Sequence, residues 1–179
     1  MKKAIQSIAA VFLLLLPMQA AADDIDLYVA AGLGAYAVGP GNGVDTNFGG
    51  YGLIGVDVMP NLGLEVRVGK SAEGSNLSGK FGTDYFVSYM ARPHVHFGEV
   101  NLYGLVGAST INAWYTPTAG TKTNKVKTSF SIGAGIEYMF AKDYLIGIEA
   151  VAMDFKNRAG VTPYDGSFVG AVNVTLRVY

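Results

Sequence analysis

Residues 51–68 read YGLIGVDVMPNLGLEVRV. Two alternating runs flank Pro60-Asn61: Ile54, Val56 and Val58 share one parity of the first, Leu64, Val66 and Val68 one parity of the second, and Asp57, Glu65 and Arg67 fall on the other. An apolar side chain at every second position is the period of a β-strand with two unlike faces. Proline and asparagine between such runs make a tight turn, so the stretch predicts a hairpin.

The same rhythm extends in both directions. It predicts strands at 25–38, 47–59, 62–70, 84–93, 99–110, 126–140, 144–155 and 167–178. Connections 60–61, 94–98 and 141–143 are short, whereas 39–46, 71–83, 111–125 and 156–166 are longer and rich in Gly, Asn, Thr, Lys and Pro. If successive strands are antiparallel neighbours, all short turns gather at one end of the sheet and all long loops at the other. That asymmetry predicts an all-β fold: an eight-stranded antiparallel up-and-down transmembrane β-barrel.

Composition narrows the class. The 179 residues are 50% hydrophobic and 15% charged, with 24 glycines, no cysteine and a formal net charge of −1. Disorder, a disulfide scaffold and nucleic-acid binding each need a different balance. Lys2 and Lys3, the apolar run Ile8–Leu16 and Ala20-Ala21-Ala22 read as a cleaved signal peptide over 1–22, leaving a barrel domain at 23–179. The run is too short to cross ~30 Å of hydrocarbon, and no other segment reaches ~20 apolar residues.

Charge parity then says what the two faces do. Asp57, Glu65, Arg67, Arg92, Glu137, Glu149 and Arg177 all oppose the Val/Ile/Leu face, about one per strand, among Gly, Ser, Ala, Leu and Met. A solvated exterior would carry polar residues at most positions. Small residues with a few near-balanced charges suit a narrow lumen, where isolated ions are costly, so these seven are expected to form a lumen charge network. Tyr28 and Tyr51 share the lumen parity and are expected to fill it. Other aromatics gather in two girdles, with Tyr36, Phe48, Phe81, Tyr85, Trp114, Tyr115, Phe130, Phe155, Tyr164 and Phe168 toward the long loops and Phe97, Tyr138, Phe140, Tyr144 and Tyr179 toward the short turns.

With these features the chain resembles the small outer-membrane β-barrel family of the OmpA transmembrane-domain and OmpX type. The resemblance is carried by residues 51–57 followed by 60–66, and by Ser129 to Tyr138, SFSIGAGIEY. One departure is that Tyr179 shares parity with Arg177, whereas the family's final aromatic usually faces lipid. The resemblance implies a bacterial outer-membrane location, contact with membrane lipid and lipopolysaccharide, and a monomer. Some similar barrels are enzymes that modify lipid A through a His/Ser/Glu group. Here the only histidines, His94 and His96, fall in the expected short turn 94–98, far from that leaflet. Neither a metal nor a cofactor is expected. Gly32-Leu33-Gly34 and Gly133-Ala134-Gly135 are strand glycines rather than dinucleotide fingerprints, since no helix follows.

The expected role is structural, or surface interaction and adhesion through four extracellular loops. Lys122, Lys125, Lys127, Lys156 and Arg158 are the candidate contacts for an anion, either lipopolysaccharide phosphate or a surface ligand. The alternatives are a narrow porin-like channel, a soluble lipocalin-like binding barrel and a lipid A-modifying enzyme.

Overall fold

The computed structural model describes residues 26–38, 45–77, 79–153 and 167–178, with the backbone alone described at 37, 38, 45 and 167–178. The expected signal peptide and the final Tyr179 lie outside the described residues. The strands are β1 Asp26–Val38, β2 Asp45–Met59, β3 Leu62–Ser71, β4 Gly74–Asn76, β5 Gly79–Phe97, β6 Val100–Pro117, β7 Thr123–Ala141, β8 Tyr144–Met153 and β9 Ser167–Val178.

Every pairing is antiparallel. β1 lies between β2 and β9, and the ring continues β2, β3, β5, β6, β7, β8, β9, so among the described residues eight strands close on themselves. Closure leaves no unpaired edge around the ring. The hairpin of residues 51–68 pairs as its alternation demands, with Ile54 opposite Val66 and Leu53 opposite Arg67.

Three strands outrun their expected limits. β5 meets β3 only as far as Phe86, and among the described residues, which stop at Met153 on β8, β7 meets β8 from Ser131, yet β5, β6 and β7 remain paired with one another to Gly79, Pro117 and Thr123. The extra length forms an arm beyond the barrel, widened by β4 on the edge of β5. Residues 71–83 and 111–125, expected to be loops, therefore contain strand. Their Thr, Asn and Lys resemble loop composition, but cross-strand pairs hold them extended, such as Trp114 opposite Asn124 and Ala113 opposite Lys125.

At the opposite end the expected turn 94–98 contracts to Gly98-Glu99. Gly98 has φ +62°, the left-handed conformation that lets so short a connection reverse, and a Cβ there would meet nothing within 4 Å.

The inward faces of the described strands fill the lumen with Tyr28, Tyr51, Leu53, Tyr103, Leu105 and Val151, all buried. Outside stand exposed apolar residues, among them Leu27, Ile54, Val106, Ile136 and Ile148. Phe97, Tyr138, Phe140 and Tyr144 are exposed toward the short turns, and Phe48, Tyr85 and Phe130 toward the arm. Tyr36 and Phe81 depart from the expected girdle and are buried. A bulge between Thr83 and Tyr85 inserts an extra residue, so Phe81 and Thr83 lie inward although their parity differs from Phe86 below. Phe155, Tyr164 and the side chain of Phe168 lie outside the described residues.

Candidate functional site

Alternation aims the charged residues of β2, β3, β5, β7 and β8 at one axis. Arg67 on β3 reaches Glu65 through Nη2 at 2.6 Å and Nε at 2.8 Å, and Glu149 on β8 through Nη1 at 2.7 Å. Arg92 on β5 donates to Glu137 through Nη2 and lies 3.4 Å from Glu65 through Nε. Glu65 thus joins the two arginines into one chain, and Arg92 itself is only 1% exposed. Two isolated ions in such a place would carry a large desolvation cost; shared carboxylates and added hydrogen bonds offset it.

Tyrosines supply those bonds. The Tyr28 hydroxyl donates to Glu65 at 2.9 Å, and those of Tyr51 and Tyr103 donate to Glu149 at 2.6 and 2.9 Å. Each ring crosses a glycine directly paired with it: Tyr28 over Gly55, Tyr51 over Gly32 and Tyr103 over Gly135. A Cβ on any of the three would fall inside the ring it supports. The glycine bares the wall, the ring lies flat across it, and the hydroxyl arrives at the carboxylate. The guanidinium of Arg92 lies 4.1 Å from the Tyr103 ring centroid and 5.3 Å from that of Tyr28, adding cation–π attraction in a desolvated place.

Asn101 donates to Glu137 at 3.1 Å. One level toward the arm, Ser88, Ser109 and Ser131 form a buried row across β5, β6 and β7, with Ser109 2.6 Å from Ser88 and 2.8 Å from Ser131. Above it, Tyr36 and Phe86 meet at 6.0 Å between ring centroids, with Ile111 and Met153 buried in the same cluster. The described lumen is therefore an ionic layer beneath an apolar one.

The structure corrects the reading of the histidines. Both lie on β5 rather than in a turn, because the strand runs on to Phe97. His96 is exposed, but His94 is 6% exposed and faces the lumen. Its Nδ1 sits 3.3 Å from the Arg92 carbonyl oxygen and 3.8 Å from Asp57, and its Nε2 sits 3.2 Å from the Pro60 carbonyl oxygen. His94 so ties β5 to the β2–β3 turn, helped by its amide, which donates to the Asn61 carbonyl at 2.9 Å.

Of the seven lumen candidates, Glu65, Arg67, Arg92, Glu137 and Glu149 meet in one network, while Asp57 stands beside His94. Arg177 is opposite Tyr28 in the β1–β9 register, and its side chain lies outside the described residues. The sequence reading missed Tyr103, Asn101, His94 and the serine row. Tyr103 and Asn101 share parity with Leu105 on β6, which was the available signal.

Among the loop candidates, Lys122 bonds Asp84 at 3.2 Å and lies 4.5 Å from the centroid of Trp114. Lys125 and Lys127 are on β7, on the parity of Ser131 and Glu137, so the arm carries them on its lumen-side face. Lys156 and Arg158 lie outside the described residues. Lys80, another arm base, pairs with Glu73 at 2.7 Å.

The family model described as "Outer membrane protein beta-barrel domain" matches residues 8–177. No curated protein matches the chain by sequence. Among solved structures, Neisserial surface protein A is similar with TM-score 0.71 at 14% identity, over 86% of this chain and 99% of that one. Ail, the attachment invasion locus protein of Yersinia pestis, solved in complex with the heparin analogue sucrose octasulfate, gives 0.61 at 16% identity over 87% and 99%. The N-terminal β-barrel domain of Pseudomonas aeruginosa OprF gives 0.60 at 14% identity over 84% and 97%. At these identities the likeness is one of fold.

Proposed function

The chain belongs to the outer membrane protein β-barrel domain family, and on that premise we propose that it is a surface-interaction protein: a packed barrel in the bacterial outer membrane that holds a strand-built arm outside the cell. The observation that carries this reading is the length of β5, β6 and β7, which stay paired with one another well past Phe86, where β3 leaves β5. A loop needs no such ladder. A fixed, extended surface is what recognition uses, since ordering it in advance lowers the entropy lost on binding.

The partner proposed for the arm is an anionic surface ligand. Lys125 and Lys127 stand two residues apart on one strand face, a spacing of roughly 7 Å. On that face they overlook the barrel mouth rather than the surrounding lipid, which favours a ligand arriving from outside the cell over lipopolysaccharide phosphate. The similar protein Ail has been solved with a sulfated ligand, and sucrose octasulfate is a suitable probe.

The channel reading is disfavoured by the packed ionic and apolar layers. A catalytic reading is disfavoured too, because both ring nitrogens of His94 face backbone carbonyls rather than a serine. The test is binding of sucrose octasulfate to detergent-extracted protein and to the double variant Lys125→Gln/Lys127→Gln. The proposal expects salt-sensitive binding that the variant weakens about tenfold or more, at roughly a factor of five per cation. Equal binding by both proteins would overturn it.

A further inference from the structure

We infer that the outward face of the arm binds an uncharged hexopyranose ring of a glycan from outside the cell, stacked on Trp114 and hydrogen-bonded by Asp84 and Asn124. Trp114 has the parity opposite to buried Ser109 and Ile111 on β6, so it stands on the other side of the sheet from Lys125 and Lys127. The indole lies across Gly82, its register partner on β5, where an added Cβ would press on Nε1, Cε2 and Cζ2 at 3.0 Å. As with the lumen tyrosines, a glycine bares the wall that an aromatic ring covers.

The bulge on β5 supplies the polar half of the site. Thr83 and Phe86 are buried, but Asp84 and Tyr85, consecutive in the chain, are both exposed. A regular strand would turn one of the two inward. Asp84 reaches past β6 to β7, where Asn124 Nδ2 donates to its Oδ2 at 2.9 Å and Lys122 Nζ donates to its Oδ1 at 3.2 Å. Asn124 is opposite Trp114 in register, and Lys122 lies against both the indole and Asp84, so the carboxylate, the amide and the ring share one patch. A pyranose needs that combination. Its C–H face is apolar and packs on an aromatic face, while its rim of hydroxyls is matched by groups that accept and donate side by side.

Charge and height select within the class. Lys122 and Asp84 cancel, so a sulfated or phosphorylated ring gains no excess of positive charge here and meets a carboxylate. With Asp84 36% and Lys122 47% exposed at the side chain, the pair is weak enough for a ligand to lift the ammonium off the ring. Trp114 lies six residues along β6 from Ala108, the partner of girdle residue Phe130, which at ~3.3 Å per residue and a tilt of about 40° is roughly 15 Å beyond the girdle. The indole is therefore clear of the acyl chains and faces what approaches the cell. This site differs in face and in ligand charge from the anion site, and each stands without the other.

Trp114 is the only tryptophan of the chain, so its own fluorescence reports occupancy. The test titrates detergent-extracted protein with neutral oligosaccharides of glucose, of galactose and of mannose. At least one series should change the emission saturably, and sucrose octasulfate should neither reproduce that change nor compete with it. Binding of the same sugar to variants is read by native mass spectrometry, with folding verified by a boiling-dependent shift in gel mobility. Trp114→Ala and Asp84→Ala should each weaken it by about tenfold or more. No response to any of the three series, competition by sucrose octasulfate, or equal binding by wild type and both variants would overturn the inference. So would a stronger response to purified lipopolysaccharide than to the neutral sugars.

Discussion

Replacing Arg67 by methionine keeps most of the side-chain volume and removes the charge. Glu65 would keep the Tyr28 hydroxyl at 2.9 Å and Arg92 at 3.4 Å. Glu149 would keep only its tyrosine hydroxyls, because Arg67 is the one cation paired with it among the described residues. With both carboxylates about 1% exposed at the side chain, breaking the pair should cost about 3–5 kcal/mol, since an uncompensated buried charge remains. That is a fall of roughly two to three and a half powers of ten in the folding equilibrium constant. Adding Glu149→Leu removes the stranded carboxylate, so the double variant should be more stable than Arg67→Met alone, although a second residue has been lost. Urea titration of folding into vesicles, followed by gel mobility, measures all three proteins. A cost under about 1 kcal/mol for Arg67→Met, or a double variant less stable than that single one, would refute the claim that the lumen network is electrostatically coupled.

Three further outcomes follow from side chains already placed. The Tyr36 hydroxyl is buried without a hydrogen-bond partner, so Tyr36→Phe should leave the folding free energy measured by urea titration unchanged or raise it, whereas Tyr51→Phe, which strands a Glu149 bond, should lower it by about 1.5–3 kcal/mol. Gly135→Val would drive a side chain into the Tyr103 ring; urea titration should show a loss of at least about 1–3 kcal/mol from overpacking. Gly98→Ala meets no atom within 4 Å yet must hold φ +62°, so its cost should be the backbone strain alone, about 1 kcal/mol in the same titration.

The barrel was legible because its signal is periodic. Val, Ile and Leu recur on one parity of each of the eight barrel strands, and seven charges spread over six of those strands on the other parity are enough to say which face is which. Lengths were less legible than order. Asn124 and Lys125 look like loop residues, and only their partners across β6 make them strand, which no local pattern reveals. The bulge at Thr83–Tyr85 hid in the same way, by moving Phe81 from an apparent girdle into the interior. His94 was misplaced because a short connection was assumed to contain several polar residues, whereas Gly98 alone has the left-handed conformation that reverses the chain. Carboxylates and arginines could be assigned to the lumen from alternation. Which tyrosine lies over which glycine, and so which carboxylate it reaches, depends on register between strands that the sequence does not carry.

The central claim is the assignment of faces: valine, isoleucine and leucine toward lipid, charges and tyrosines inside. The chain has one tryptophan, so a Trp114→Phe background permits a single reporter at outward Ile136 or at inward Leu105, exposed by 41% and 2% respectively. The measurement is fluorescence quenching by bilayers whose acyl chains carry bromine. Ile136→Trp should be strongly quenched and Leu105→Trp only weakly. Strong quenching at 105 with little at 136 would turn the barrel inside out and contradict the account.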